Sequence, residues 1–169
     1  MAGFDGGRMT SDAGAMLFGA TDRAIGLIAR FADCFRDHRA AELVEHTVAN
    51  LVRQRVVGIA LGYEDLIDHD QLRHDPVMAV LGDKREAKRS DCAPLAGKST
   101  LNRLELSRAE LSRDHKISYD AGLIEAVFVD VFLDAHGAPP AQIILDLEAT
   151  DDPLHGHQEG RFFQGYYGN

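Results

Sequence analysis

The chain has 169 residues, of which 45% are apolar, and a formal net charge of -9 at pH 7. The length suits one domain or a domain and a half, and the apolar content is ordinary for a chain with a packed core. No apolar run approaches the ~18–20 residues of a membrane helix, and the polar N-terminus does not look like a secretory signal. The two cysteines, Cys34 and Cys92, have no CxxC spacing, which argues against a disulfide framework and fits a reducing cytoplasm.

The first part of the chain predicts two helices. Thr10 and Ser11 suit an N-cap, and the apolar residues that follow predict a helix over 12–30. The clearest periodicity in the chain, with apolar residues at steps of three and four, predicts a second helix over 40–61. Gly62 is a plausible stop signal for that helix.

The next segment is less regular. Arg53 and Arg55, on the polar side of the second helix, are expected at the surface. A short helix is predicted over 63–69, and an apolar run follows at 77–81. Residues 82–97 lack periodicity and mix charges with Gly and Pro, so they are expected to form a long loop or an insert.

Two further helices are predicted before the pattern changes. Ser99 is a natural N-cap for a helix whose apolar face begins at Leu101. Residues 119–135 predict another amphipathic helix, which the proline pair at 139–140 ends. The inward residues of this helix are expected to be Leu123, Ile124, Val127, Phe128, Val131 and Phe132.

After the prolines the pattern becomes that of a sheet. A short apolar run predicts a buried strand over 142–148, and an aromatic-rich run predicts a second strand over 161–167. The sequence therefore predicts a mainly α fold. It consists of a multi-helix region over 1–138 and the first β-hairpin of a sheet within 139–169.

Asp146 stands out because it interrupts an apolar strand, where an unpaired carboxylate is costly to bury. Glu148 projects from the same strand face, and Asp151 and Asp152 follow in the turn. Mg²⁺ prefers carboxylate oxygens, so this segment is a candidate metal site. An alternative of about equal weight is that Asp146 and Glu148 only cap the strand end or form salt bridges there.

A second group of candidate ligands lies in the polar loop after the first strand. It consists of His155, His157 and Glu159. Two histidines two residues apart in a Gly-containing loop give little support to a zinc site.

The acidic net charge counts against a nucleic-acid binder, but the charge is uneven. Between Lys84 and Lys116 there are nine Lys and Arg against five Asp and Glu, a local net charge of +4. Such a patch could contact phosphates, although a solvated surface of mixed charge explains it equally well.

Basic and amide side chains at a helix N-terminus can also reach base edges. The candidate DNA-binding residues are Lys98, Ser99, Thr100, Asn102 and Arg103. An ordinary capped helix with polar residues at its exposed positions explains these residues equally well.

Several segments together resemble one known family. Residues 144–160, ILDLEATDDPLHGHQEG, resemble the first catalytic segment of DDE transposases of bacterial insertion sequences. The same family is resembled, in chain order, by FDGGRMTSDAG at 4–14, QRVVGIALGYED at 54–65, DHDQLRHDP at 68–76 and STLNRLE at 99–105. The resemblance covers nearly the whole chain. Its most specific parts are the strand segment and the Gly-Tyr-Glu-Asp segment.

The resemblance implies an RNase H-like α/β catalytic domain that begins within 139–169, preceded by a helical region that helps to bind DNA at transposon terminal inverted repeats. It also implies Mg²⁺-dependent DNA strand cleavage and transfer by two aspartates and a glutamate, in a protein of the bacterial nucleoid that could form homo-oligomers. Family members often have Asp-x-Asp where this chain has Asp146-Leu-Glu148. We favour Asp146 as the first catalytic carboxylate and metal ligand, with Glu148 as the alternative.

The chain contains no partner for Asp146 that matches the family's second aspartate or its glutamate. We therefore expect a truncated catalytic domain that is inactive in cleavage on its own. Two other functions remain open: a DNA-binding module that represses transposition without catalysis, and a metal-dependent phosphohydrolase unrelated to DNA.

Overall fold

The computed structural model of the chain describes residues 9–82 and 94–147. The chain divides into two compact units, residues 1–135 and 136–169. Within its described residues the first unit is mainly helical, which confirms the mainly α prediction. Its helices are α1 (Ala15–Ile25), α2 (Leu27–Ala32), α3 (Val48–Ala60), α4 (His69–Leu72), α5 (Pro76–Leu81), α6 (Lys98–Glu105) and α7 (Ala121–Asp134), with short 3-10 turns at Ala41–Leu43 and Leu66–Asp68.

The first predicted helix, over 12–30, is in fact two helices. Gly26 separates α1 from α2 and adopts a left-handed conformation with φ of 67°. The side chain of Asp22 accepts a hydrogen bond of 2.8 Å from the backbone N–H of Ile28, near the start of α2. The prediction of one continuous helix was therefore wrong at Gly26, where glycine allows a backbone turn at little cost.

The second predicted helix begins later than expected. α3 starts at Val48, and its N-cap residue Thr47 accepts a hydrogen bond from the backbone N–H of Asn50. Residues 41–43 form only a 3-10 turn, and Leu43 is 81% exposed. The apolar periodicity before Thr47 therefore does not mark a buried helix face.

The end of α3 agrees with the sequence. Gly62 has a φ of 93°, and the N–H of Tyr63 donates to the carbonyl of Gly58 over 2.9 Å. This is the arrangement of a Schellman motif, which satisfies carbonyls at a helix end. The predicted stop signal at Gly62 is confirmed.

The following elements are short. The helix predicted over 63–69 lies later, as a 3-10 turn at Leu66–Asp68 that continues into α4. The apolar run at 77–81 belongs to α5, which begins at Pro76 and is capped by the Asp75 carboxylate. Of the predicted loop at 82–97, the described residues 94–97 have no helix or strand, but Leu95 and Ala96 are buried.

A small sheet was not predicted. Strands β1 (Phe35–Asp37) and β2 (Ile117–Tyr119) pair antiparallel, with Phe35 opposite Tyr119 and Asp37 opposite Ile117. Each strand has only three residues, which is too short to show an alternating pattern in the sequence. The sheet joins the segment after α2 to the segment before α7.

The core of the first unit surrounds α3, which packs against α2, α5 and α6. Its largest fully buried side chains are Leu51, Met78, Leu101, His69 and Val52. Four buried residues in the described ranges are polar or charged, namely His46, Ser118, His69 and Gln54. Two of them lie side by side: His69, with no exposed surface, and Gln54 on α3. Buried polar groups need hydrogen-bond partners, so these two side chains mark a constrained region.

α7 is much less buried than its sequence suggested. It runs over Ala121–Asp134 with Asp120 as its N-cap residue, close to the predicted 119–135. Of the six predicted inward residues, only Val127 is buried, while Phe128 is 60% and Leu123 46% exposed. The predicted inward face was therefore wrong at Leu123, Phe128 and Phe132, because little of the first unit packs against this helix.

The second unit is described only over 136–147, and these residues form no helix or strand. Ile144 is 84% and Leu147 89% exposed. The buried strand predicted over 142–148 is therefore wrong for 142–147. A strand is stabilised by neighbouring strands, and the described ranges hold no partner for this one. Glu148 and the second predicted strand at 161–167 lie outside the described residues.

Candidate nucleic-acid interface

α6 carries the five residues that the sequence marked for DNA contacts. Its inner side is fixed by Leu101, which has no exposed surface, and by Leu104, which is 7% exposed. Ser99, Asn102 and Arg103 are exposed. They are spaced three and four residues apart, so they share one face of the helix.

The other two candidate residues are differently placed. Thr100 is half-buried, between the buried side of α6 and Arg103. The Nζ of Lys98 lies 3.5 Å from the Asp70 carboxylate, with both side chains about half exposed. An exposed pair of this kind contributes roughly 0–1 kcal/mol, but it partly neutralises the Lys98 charge.

The start of α6 is capped from a distant part of the chain. Its N-cap residue is Gly97 and not Ser99, so the predicted cap was wrong. The backbone N–H of Lys98 donates to Asp70 Oδ1 over 3.1 Å. This bond and the Lys98 side chain hold the pKa of Asp70 below its usual value. Asp70 and not Ser99 therefore caps the N-terminus of α6, where a carboxylate is stabilising because of the helix dipole.

The residues that lead into α6 are also held by long-range hydrogen bonds. The Gln54 side-chain amide accepts a bond of 3.1 Å from the Ala96 N–H and donates one of 2.7 Å to the Ala96 carbonyl. The N–H of Leu95 donates to the Arg73 carbonyl over 3.0 Å. Consecutive backbone groups before α6 are therefore fixed to α3 and to the chain after α4.

The C-terminal end of α6 is tied to α3 by Arg55. The Arg55 guanidinium forms an ion pair with Glu105, the last residue of α6. It also donates to the carbonyls of Tyr63 over 3.1 Å and Glu64 over 2.5 Å. Its side chain is only 13% exposed, so the expectation of a surface residue was wrong for Arg55. Arg53 is half-buried.

His69 lies at the centre of this arrangement. Its Nδ1 is 3.3 Å from the Gln54 amide nitrogen, while its Nε2 has no hydrogen-bond partner. Burial, followed by the nearby Arg55 cation, lowers the pKa of His69. The ring lies so close to α3 that a Cβ added at Gly58 would be 2.7 Å from its Cε1 atom.

A cleft of about 400 Å³ brings together three of the segments quoted above for their family resemblance. The Tyr63 hydroxyl donates to the Asp12 carboxylate, at 3.1 Å from its nearer oxygen. This raises the pKa of Tyr63. Asp68 and Asp75 also line the cleft. Three carboxylates on its walls repel phosphate groups, which makes this cleft a poor DNA site.

The candidate catalytic segment has no assembled site in the described residues. Asp146 is exposed and belongs to no strand. Within 9–82 and 94–147, no three His, Cys, Asp or Glu residues are arranged to hold a metal ion. Glu148, Asp151 and Asp152, together with the His155, His157 and Glu159 group, lie outside the described residues.

Sequence reasoning missed the residues that hold α6 in place. Gln54, Arg55, His69 and Asp70 all lie in segments that resemble the transposase family, but their roles were not predicted. One signal was present, because Gln54 falls three residues after the buried Leu51, on the apolar side of α3. A polar residue at such a position predicts a buried hydrogen bond, although its partner cannot be read from the sequence.

The comparison with protein-family models supports the resemblance, whereas two other comparisons found no match. No curated protein and no solved structure gave a significant match. The family model described as Transposase DDE domain group 1 matches residues 1–169, the whole chain. In the described ranges no helix is long and apolar enough to cross a membrane. The match over the full length confirms the resemblance found in the sequence, and the chain belongs to the DDE transposase family.

Proposed function

We propose that the first unit binds the DNA of a transposon end through the exposed face of α6 formed by Ser99, Asn102 and Arg103. Membership of a transposase family implies DNA binding. The observation that carries the proposal is that this polar face belongs to a helix anchored at both ends and along its inner side. A helix that is held rigidly can present side chains to DNA with little loss of conformational entropy on binding.

The chemistry of the three side chains suits base edges as well as phosphates. Arginine can donate two hydrogen bonds to the O6 and N7 atoms of guanine, and asparagine can pair with the N6 and N7 atoms of adenine. Serine bonds to either bases or phosphates. Arg103 carries the charge of this face, since Lys98 is already paired with Asp70.

The test is a fluorescence anisotropy titration with a terminal inverted repeat duplex and a scrambled duplex of the same composition. Arg103→Ala is expected to weaken binding to the repeat by about tenfold to a hundredfold, which corresponds to ~1–3 kcal/mol for a lost base contact. The matched control is Arg23→Ala, which removes an exposed arginine from α1. Equal losses in both variants, or no preference for the repeat in the unmodified chain, would refute the proposal.

We further propose that Asp146 is the first catalytic carboxylate of the DDE motif, with Glu148 as its alternative. The support is the family match together with the segment at 144–160 that resembles the family's first catalytic segment. That the 169-residue chain does not cleave DNA on its own remains a prediction. It would be contradicted by Mg²⁺-dependent nicking of a plasmid that carries the inverted repeat, if that nicking is lost in Asp146→Ala.

The alternative function is repression of transposition by DNA binding alone. It is favoured by the location of the α6 face, which lies within the first unit, apart in sequence from Asp146. Repression predicts that the 169-residue chain competes with a full transposase for the same repeat. A competition binding assay with Arg103→Ala as the control separates this function from one in which the chain has no effect.

A further inference from the structure

We propose that Gln54 and His69 are positioning residues for the α6 face, and that they hold α6 in its DNA-binding orientation only while His69 is neutral. This inference rests on the proposed DNA contact through α6. It concerns how the contact is controlled and not which side chains touch DNA.

The hydrogen-bond pattern fixes the protonation state of His69. Gln54 uses its carbonyl oxygen to accept from the Ala96 N–H and one amide hydrogen to donate to the Ala96 carbonyl. The Gln54 amide nitrogen lies 3.3 Å from His69 Nδ1, and since an amide nitrogen can only donate, its second hydrogen is the one available to Nδ1. A nitrogen that accepts a hydrogen bond carries no proton, so this pattern assigns the neutral ring with its proton on Nε2.

A second proton on His69 has no place in this arrangement. It would put an N–H at Nδ1 directly against the N–H of Gln54. Rotating the Gln54 amide by half a turn would place its oxygen against the Ala96 carbonyl oxygen and its nitrogen against the Ala96 N–H, which breaks both bonds to Ala96. Since His69 has no exposed surface, water cannot supply a replacement partner without an opening of the structure.

The charged groups around His69 come from α3, from the 3-10 turn at Leu66–Asp68, from α4 and from α6. Arg55 on α3 disfavours the imidazolium, while Asp68, Asp70 and Glu105 favour it. Burial is the largest influence, and it opposes protonation. The fold therefore stabilises the neutral form of the His69 ring. Protonation of this ring in acid is opposed by the packing around α6.

Protonation of His69 is expected to lower the affinity for a specific DNA sequence, which is opposite to the usual effect of acid on DNA binding. The chain has eight histidines, so acid adds positive charge and ordinarily strengthens contact with phosphates. Protonation of His69 instead releases Ala96 and the start of α6, which lowers affinity for a specific sequence. The two effects can be separated because they act in opposite directions.

The experiment measures anisotropy titrations of the full chain with the inverted repeat and the scrambled duplex, from about pH 8 to about pH 5.5 at constant ionic strength. We expect affinity for the repeat to fall by about tenfold on acidification, while affinity for the scrambled duplex stays level or rises. His69→Gln, which keeps an acceptor for Gln54 but does not titrate, is expected to remove the fall. The matched control His38→Gln replaces an exposed histidine just after β1 and is expected to retain the fall.

Two further measurements keep the inference testable if His69→Gln does not fold. Gln54→Met keeps the side-chain volume but loses both bonds to Ala96, and should bind the repeat about tenfold more weakly even at about pH 8, with unchanged helix content by circular dichroism. In the unmodified chain, the ring NMR signals of His69 should show the Nε2-protonated neutral tautomer at pH values where an ordinary imidazole is already protonated.

The outcomes distinguish this inference from the proposed function. If the unmodified chain does not prefer the repeat at about pH 8, the proposed DNA contact is wrong. If it prefers the repeat, but acid leaves that affinity unchanged or increases it, only the positioning role is overturned. The same conclusion follows if His69→Gln and the unmodified chain have identical pH profiles.

Discussion

α6 and α7 were both predicted as amphipathic helices, but the fold holds them in different ways. α6 has eight residues, and it is anchored by two buried leucines, by Asp70 and Gln54 at its start and by Arg55 at its end. α7 has 14 residues and a more apolar sequence, yet only Val127 is buried. The comparison teaches that the apolar content of a helix does not determine how firmly it is held. Polar side chains from distant segments anchor the two ends of this short helix, in addition to its own buried leucines.

The largest expected effect contrasts a core residue of α6 with an exposed aromatic residue of α7. Leu101→Ala removes a side chain with no exposed surface and should lower the free energy of unfolding by about 2–5 kcal/mol. Phe128→Ala removes a larger side chain from α7, but that side chain is 60% exposed, so the loss should be smaller despite the greater volume. Urea unfolding followed by circular dichroism measures both. A larger loss for Phe128→Ala would show that α7 is better packed than its exposure indicates.

The next largest loss of stability is expected where α3 packs closely against His69, the residue that supports α6. Gly58→Ala places a Cβ 2.7 Å from His69 Cε1, so the ring or the helix must move, at a cost of about 1–3 kcal/mol. Gly14→Ala is the control, because a Cβ there meets nothing within 4 Å. Thermal unfolding should show a lower midpoint for Gly58→Ala alone. Equal midpoints would mean that His69 is free to move aside.

A smaller effect is expected at the start of α7. The Asp120 carboxylate accepts a hydrogen bond of 3.1 Å from the Leu123 N–H, and an N-cap of this kind contributes about 1 kcal/mol. Asp120→Ala should therefore lower stability modestly, and Asp120→Asn should restore most of it. Hydrogen exchange should locate the change in the first turn of α7. Faster exchange in α6 instead would contradict the view that the two helices are held independently.

The smallest effect concerns the exposed apolar surface of α7. Val129 is 56% exposed, so Val129→Lys should change the free energy of unfolding by no more than about 0.5 kcal/mol. Binding of an apolar dye should decrease, because the substitution interrupts an exposed apolar stripe. Val127→Lys is the contrasting variant, since Val127 is buried and a lysine there should be strongly destabilising. Similar stability of the two variants would show that α7 does not pack through Val127.

Features that depend on neighbours along the chain could be predicted from the amino-acid sequence alone. Gly62 ends α3, because the hydrogen bonds of this helix end join residues only a few positions apart. The helical character of the first unit followed from local periodicity. The family was also visible, since its motifs are short runs of consecutive residues that occur here in the family's order.

The contacts between residues far apart along the chain could not be predicted in this way, because they depend on how the elements pack. Ala96 is fixed by Gln54, 42 residues earlier, and the N-cap bond at Lys98 comes from Asp70, 28 residues earlier. The pairing of β1 with β2 and the exposure of α7 have the same origin. Local propensity determines whether a segment can be a helix. Which of its faces is buried, and what holds its ends, depends on the partners that the rest of the fold places beside it.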